Sequence, residues 1–427
     1  MDKKVAVIGT GYVGLTTGAC FAHLGHDVVC ADIDASKIER LSRGEIPIHE
    51  PGLDELVKEG IQTGRLTFTT DPVGAAAVAS FVYLCLPTPQ GADGSADLQY
   101  LEAAAREIGP HLQPDTIVVN KSTVPVGSVS FVAQIIGRND VQVVSNPEFL
   151  REGTAVHDFL NPDRVVIGAD DQGAAIRIAG LYLGLPAPVM ATDPASAETI
   201  KYASNAFLAM KLSFVNAVAN LCEVVGADVS DVVLGMGYDK RIGHDFLRPG
   251  PGWGGSCFPK DSRALRFMAQ ESGYDFAILD AVIDANDEQF DRVAAKVSAM
   301  VGGSLDGVKV AAWGLTFKAN TDDRRDSPAI QVLTRLLAGG ASVTAFDPTV
   351  SATMPELPDV EVAEDVYAAC EGADVLLVLT EWDDFKWADL DKVAGLMGSR
   401  RIVDARNLLD RSALHRRGFE YDGIGRS

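Results

Sequence analysis

Short, nearly continuous apolar runs alternate with amphipathic stretches through the first 190 or so residues. KKVAVIG, HDVVCADI, ASFVYLCLP, DTIVVNKST, DVQVVSNP and RVVIGAD are rich in Val and Ile and lack the in-out alternation of a half-exposed strand. Such runs predict strands covered on both faces, hence a parallel sheet with helices on each side. From Asp193 the period changes. Ala195 to Val225 holds no Gly or Pro, and apolar residues recur at helical spacing. A helix of about 30 residues is long for a globular domain and predicts a spine linking two others. More helical pattern runs to about Ala299, and VGGSLDG reads as a linker. From Val308 the strand–loop–helix–strand pattern restarts: VKVAAWG echoes KKVAVIG, ASVTAFDP echoes HDVVCADID, and DVLLVLTEW and RIVDARN supply further strands. The fold class predicted is α/β: two doubly wound domains joined by a long central helix and a helical middle domain, at 1–192, 193–300 and 301–427.

Composition narrows the function. The chain has 427 residues, with 37 Lys plus Arg against 59 Asp plus Glu, a formal charge of −22. That surface repels phosphate backbones and anionic lipid, which argues against nucleic-acid partners. An anionic ligand then requires a local basic cluster. The start, MDKKVAVIGTG, has too short an apolar run for a signal-peptide core. The longest mostly apolar stretch, Gly74 to Leu86, is shorter than the ~20 residues of a membrane span. Six cysteines lie far apart without CxxC, which predicts reduced thiols and a cytoplasmic protein. Seven histidines show no HExxH or HxH spacing, so no zinc site is expected.

Gly9-Thr10-Gly11-Tyr12-Val13-Gly14 is GxGxxG, directly after one apolar run and before a helical stretch. Gly9 permits the tight turn, Gly11 lets backbone approach a pyrophosphate, and Gly14 lets helix and strand pack closely. The helix N-terminus meets the phosphate charge. A second run ends in Asp32, 18 residues after Gly14, where a carboxylate binds ribose hydroxyls and repels a 2′-phosphate. This makes the first domain Rossmann-like and the expected cofactor NAD, with Lys37 in reach of the same ribose. The tail has no such fingerprint and is not expected to bind a dinucleotide in the same way. Three later runs end in Thr88, Thr123 and Glu148. In open α/β sheets the ligand crevice lies beyond the carboxyl ends of the strands, so these three are expected beside the nicotinamide.

Gly250-Pro251-Gly252-Trp253-Gly254-Gly255-Ser256-Cys257-Phe258-Pro259-Lys260-Asp261 is too glycine-rich for a regular element. It predicts a loop whose backbone wraps a ligand. Pro259 suits the first turn of a helix, which puts Cys257 at a helix N-terminus beside Lys260. Both features favour thiolate over thiol, below the ordinary value of ~8.5. Cys20, Cys30, Cys85, Cys222 and Cys370 read as small buried hydrophobes. An activated thiol beside a dehydrogenase cofactor suggests an aldehyde-level step. A thiohemiacetal can lose hydride to become a thioester, which water opens to an acid.

In order, GTGYVGL, LPTP, KSTVPVG, NPEFLREG, KYASNAFLAMKLSF, GGSCFPKD and GLTFKANTDDRRDSPAI resemble the UDP-glucose/GDP-mannose dehydrogenase family over essentially the whole chain. The resemblance implies two Rossmann-like domains, a homodimer formed along the long helix, and a four-electron oxidation of UDP-glucose to UDP-glucuronate with NAD. It makes Cys257 the nucleophile. Lys201 and Asn205, four apart and so on one helix face, would stabilise oxyanions. Asp261 would hold a water or Lys201 as the first base. Glu148 would activate water against the thioester, with Thr123 orienting it. Glu152, Lys260 and Arg325 would meet NAD. Phe149, Leu150 and Arg151 would line the sugar nucleotide by their backbone. Phe246, Leu247, Arg248, Pro249, Gly250 and Gly254 would surround the nucleotide. Lys318 would meet its pyrophosphate or sugar, and Arg241 would reach a neighbouring subunit. Three alternatives stay open: GDP-mannose oxidation, a two-electron β-hydroxyacid dehydrogenase, and a non-catalytic NAD sensor.

Overall fold

The computed structural model describes residues 3–91 and 93–426. Two compact units emerge: residues up to Ser204 with Arg263–Ser272, and Asn205–Ser262 with the residues from Gly273 onward.

The first unit holds an eight-stranded sheet: β1 (Lys4–Ile8), β2 (Asp27–Ala31), β3 (Leu66–Thr69), β4 (Phe81–Leu84), β5 (Ile117–Asn120), β6 (Gln142–Ser145), β7 (Val165–Gly168) and β8 (Val189–Thr192). Their spatial order is β3-β2-β1-β4-β5-β6-β7-β8. The first six strands are parallel and doubly wound. One core cluster, with Phe21, Tyr83 and Tyr182, and another, with Leu84, Leu101 and Ile108, contain the residues that alternate along the strands. The expectation of an all-parallel sheet fails at one place, since β7 meets β6 antiparallel at Ser145 and Gly168. The connection contains only the six-residue helix Ala155–Leu160. The two strands that the apolar pattern did not reveal, β3 and β8, are the sheet edges, four residues each and partly exposed.

The second unit holds a six-stranded sheet: β9 (Lys309–Trp313), β10 (Ser342–Phe346), β11 (Glu361–Val362), β12 (Val375–Val378), β13 (Arg401–Asp404) and β14 (Glu420–Gly423). Every pairing is parallel. The order β11-β10-β9-β12-β13-β14 repeats that of the first six strands. The sequence echo is therefore a structural repeat, with one telling difference. Asp347, just after β10, stands where Asp32 stands after β2. Asp347 is buried; its Oδ2 accepts the Leu315 and Thr316 amides, the Thr316 hydroxyl and the Trp382 indole N–H, and its Oδ1 accepts the Thr349 amide and hydroxyl. That acid is used up in bracing its own loop and has no face left for a ribose.

The spine is one helix, Pro194–Val225, of 32 residues. It corrects the reading of Gly74–Leu86 as the longest apolar stretch, because among the described residues the spine alone is long and apolar enough to cross a membrane. Its first turns bury Glu198 and Lys201 against protein partners.

Candidate active site

In the first unit, the turn after β1 has the expected glycine geometry. Gly9 has φ +96°, and a Cβ there would lie 2.4 Å from the Cys85 carbonyl oxygen. A Cβ on Gly14 would lie 1.9 Å from the Gly9 oxygen, whereas one on Gly11 would meet nothing within 4 Å. Gly11 therefore leaves open space at the start of the helix Tyr12–His23, where a pyrophosphate can approach. Asp32 accepts the Thr10 amide at 2.9 Å, the Thr10 hydroxyl at 2.6 Å and the Lys37 ammonium at 3.0 Å. Burial works against its charge, but these donors and the Asp34 amide hold its carboxyl below the ordinary value. Asp32 is thus a fixed anion at the end of β2. The residues present fit a dinucleotide with a free 2′-hydroxyl.

The ends of β4, β5 and β6 carry Thr88, Thr123 and Glu148 as expected. Thr88 donates its hydroxyl to the Thr123 carbonyl at 2.9 Å. Glu148 is buried, receiving the Lys201 ammonium at 2.7 Å and the Leu150 amide at 2.7 Å. Burial raises the Glu148 carboxyl, but Lys201, the Leu150 amide and Lys121 more than offset that and hold it below the ordinary value. Phe149 meets two cations, with the Arg164 guanidinium 3.7 Å from its ring centroid and the Lys201 ammonium at 5.5 Å. Glu148, Phe149, Leu150 and Arg151 line a cavity with Lys121 and Arg164. Arg151 pairs with Asp158 at 2.6 Å. Glu152 is buried in the same segment.

In the second unit, Cys257 immediately precedes the helix Phe258–Glu271, and its carbonyl accepts the Asp261 amide at 2.8 Å. It is half-buried, whereas the other five cysteines are buried. Asp261 is fully buried, taking the Asn205 amide at 2.6 Å and the Lys260 ammonium at 2.7 Å. Other chain segments press close on the glycines before the thiol. A Cβ on Gly254 would lie 2.0 Å from the Asp326 oxygen, and one on Gly255 would lie 2.9 Å from the Phe317 ring. In the 246–250 segment, Phe246 takes φ 60°. A bulky side chain rarely adopts that left-handed conformation, and strain of this kind clusters at ligand sites. Leu247 and Gly250 are buried, while Arg248 is exposed and Pro249 half-buried. Arg241 is exposed and pairs with Asp239 at 2.6 Å, and Arg325 pairs with Asp323 at 2.7 Å. The Lys318 ammonium lies 5.3 Å from the Phe317 ring centroid.

Two functional candidates escaped the sequence reading. Glu50 accepts the Tyr12 hydroxyl and the Gly153 and Ala155 amides, so one buried carboxylate ties the fingerprint helix to the turn that follows Glu152. Arg406, after β13, donates to the Leu379 and Phe317 carbonyls and pairs with Glu381. Its Nη1 lies 3.4 Å from where a Gly250 Cβ would stand. The available signal for Arg406 was its place at a strand's carboxyl end, the position that marked Thr88 and Glu148.

The chain is also similar to known proteins over its whole length. Residues 3–185 match the NAD binding domain of the UDP-glucose/GDP-mannose dehydrogenase family, 195–288 its central domain and 311–411 its UDP binding domain. The chain is 48% identical to the UDP-glucose 6-dehydrogenase TuaD of Bacillus subtilis strain 168, over 99% of this chain and 93% of that protein. It is 47% identical to the UDP-glucose 6-dehydrogenase of Rhizobium meliloti strain 1021, over 99% of both. The solved UDP-glucose dehydrogenase of Pyrobaculum islandicum superposes with a TM-score of 0.91 at 38% identity, covering 100% of this chain and 98% of that one. With all three of its segments matched and full-length relatives at 47–48% identity, the chain belongs to the UDP-glucose/GDP-mannose dehydrogenase family.

Proposed function

We propose that this protein is an NAD-dependent UDP-glucose 6-dehydrogenase that converts the C6 alcohol of UDP-glucose to the carboxylate of UDP-glucuronate. The observation that carries the reading is full-length likeness to UDP-glucose 6-dehydrogenases at 47–48% identity, in a chain that places Cys257 at a helix N-terminus. The division at 1–192, 193–300 and 301–427 is the functional one we propose: cofactor, spine and nucleotide sugar. NAD supplies a hydride acceptor for each of two oxidations, held by Gly9, Gly11, Tyr12, Val13, Gly14, Asp32 and Lys37, with Thr88, Glu152, Lys260 and Arg325 toward its other end.

Lys201 and Asn205, one turn apart on the spine, donate to the alkoxide oxygen as C6 becomes tetrahedral. Asp261, already holding Asn205, fixes that amide's donor direction and orients the water that takes the C6 hydroxyl proton as the first hydride leaves and the aldehyde forms. The Cys257 sulfur then bonds to the aldehyde carbon. After the second hydride leaves, the carbon is a thioester. Glu148, kept ionised by Lys201 and the Leu150 amide, takes a proton from the attacking water that Thr123 orients. The carbon–sulfur bond breaks and the thiolate is restored. The backbone of Phe149, Leu150 and Arg151, the segment from Phe246 to Gly250, Gly254, Lys318 and Arg406 hold the nucleotide sugar.

The functional unit we propose is a homodimer along the spine. Phe207, Phe214 and Leu221 are each more than half exposed and recur every seven residues, a single apolar stripe on one helix face. A second copy covers it, and brings Arg241 toward the neighbouring site. Phe214→Glu is expected to shift the protein to monomer in sedimentation velocity. All six cysteines are free thiols, which supports a reducing, cytoplasmic setting.

The test is stoichiometric. UDP-glucose should yield two NADH and one UDP-glucuronate per sugar, and Cys257→Ser should lose the acid. One NADH per sugar, or preference for GDP-mannose, would sink the assignment.

A further inference from the structure

The loop before Cys257 is held by side-chain amides that no part of the proposed chemistry uses. The Asn286 carboxamide takes both polar groups of one residue: its Oδ1 accepts the Trp253 amide at 2.8 Å, and its Nδ2 donates to the Trp253 carbonyl at 3.1 Å. Gly250 is held on both sides as well. Its amide donates to Asn216 Oδ1 at 2.8 Å, and its carbonyl accepts Gln289 Nε2 at 2.9 Å. The Trp253 indole donates to the Ser213 hydroxyl at 2.9 Å, which donates onward to the Val282 carbonyl. Asn220 braces Gln289 by donating to its Oε1 at 3.0 Å. Asn286, Gln289, Asn216 and Ser213 are all at most 4% exposed.

The register matters. Asn286 and Gln289 lie three residues apart in the helix Ala277–Met300, so they share one face. The residues they hold, Trp253 and Gly250, are also three apart. One helix face therefore presents two carboxamides in step with two peptide units of a loop that has no regular structure. Between them, Gly252 takes φ +125°, and a Cβ there would lie 2.5 Å from the Phe290 ring and 3.0 Å from Asn286 Oδ1. Packing two helices does not need this. Buried amides are costly unless satisfied, and apolar side chains would fill the space at lower cost. What the amides add is a fixed path for the backbone from the nucleotide segment to the thiol.

We propose that Asn286 and Gln289 are positioning residues: the helix Ala277–Met300 acts as a template that sets where the Cys257 sulfur and the nucleotide loop stand. Asn286 governs the thiol end, four residues from Cys257, and Gln289 governs the nucleotide end at Gly250. The inference rests on the proposed role of Cys257.

Asn286→Asp separates this from packing. The variant keeps the acceptor for the Trp253 amide but sets a carboxylate against the Trp253 carbonyl. Once protonated, the same group donates again. Expected is a fall in kcat on the order of tenfold at pH 9 that recovers toward wild type as pH falls to 6, with KM for UDP-glucose little changed. Gln289→Glu is expected to raise that KM on the order of tenfold with a smaller change in kcat. Iodoacetamide alkylation of Cys257, with Cys257→Ser as the blank, reads the thiol without any sugar. Its rate should change in Asn286→Asp and stay near wild type in Gln289→Glu. If Asn286→Asp does not fold, Ser213→Ala removes one bond of the same network and should shift the alkylation rate about threefold in the same direction. Variants that differ from wild type only in melting temperature, with unchanged pH profile, KM and alkylation rate, overturn the proposal. A wild-type protein inert toward UDP-glucose refutes the function, and the alkylation arm still decides the template.

Discussion

Removing the Lys201 ammonium turns a buried ion pair into a lone buried carboxylate, and the consequence has a sign that pH exposes. Glu148 is 6% exposed and Lys201 3% exposed, with 2.7 Å between their charged atoms. At an effective dielectric of about 20 their attraction is about 6 kcal/mol. Desolvation offsets much of it, so loss of one partner leaves a deficit of about 3–5 kcal/mol. In the wild type the Glu148 carboxyl is held below its ordinary value. Its contribution to stability is therefore present above that value and is lost as pH falls through the folded value. In Lys201→Met burial acts with less opposition, and the carboxyl rises above the ordinary value. The variant then loses stability as pH rises, the opposite slope. Urea or thermal unfolding at pH 5, 6.5 and 8 should show the gap between wild type and variant widening with pH toward about 3–5 kcal/mol. For a unit of this size that is about 6–20 °C in melting temperature. Adding Glu148→Gln to Lys201→Met should recover most of the loss, because no buried charge remains. A gap that stays constant across pH would mean that the two groups are not coupled in the folded protein, and the placement of Glu148 as a permanently ionised base would fall.

Gly14→Ala puts a Cβ 1.9 Å from the Gly9 oxygen and should destabilise the first unit in thermal unfolding, whereas Gly11→Ala has open space and should melt like wild type while weakening NAD binding in calorimetry by on the order of tenfold or more. Glu198, buried, accepts the Gly127 and Val129 amides at the start of the helix Ser128–Ile136, and burial pushes its carboxyl from 4.5 to about 7. A raised folded value means that its contribution is full below the unfolded value and is lost as pH rises through about 7, a change of at most about 3 kcal/mol. Glu198→Gln should flatten that part of the stability profile, and an unchanged slope would refute the assignment.

The legible part of the molecule was local. GxGxxG followed by a strand ending in Asp32, and Pro259 opening a helix after Cys257, each rest on a few adjacent residues whose backbone needs are specific. The spine was legible because 31 residues without Gly or Pro leave no place to stop a helix. What stayed hidden depends on the third dimension. Edge strands such as β8 bury too little to show an apolar run. Glu50 acts 103 and 105 residues away in sequence. Asn286 and Gln289 look like polar residues in a helix until their partner loop is placed beside them. Asp347 matches Asp32 in the ASVTAFDP echo, and only its six donor groups, from Leu315, Thr316, Thr349 and Trp382, show that it is a brace.

The cations expected to meet an anionic ligand of this −22 chain share one feature. Lys37, Arg151, Lys201, Arg241, Lys260 and Arg325 each stand within 3.0 Å of a carboxylate. Paired cations project little field into solvent, so they cannot draw an anionic nucleotide by long-range attraction. The selection must come at contact. A guanidinium has five donors and can keep its aspartate while adding a phosphate. The open backbone at Gly11 offers N–H groups that no acidic surface neutralises. The excess of acid then works in the ligand's favour as a filter. Polyanions too large for the glycine-lined loops meet only the repulsive exterior, and a dinucleotide or nucleotide sugar that enters replaces water on donors already aligned by their carboxylate partners.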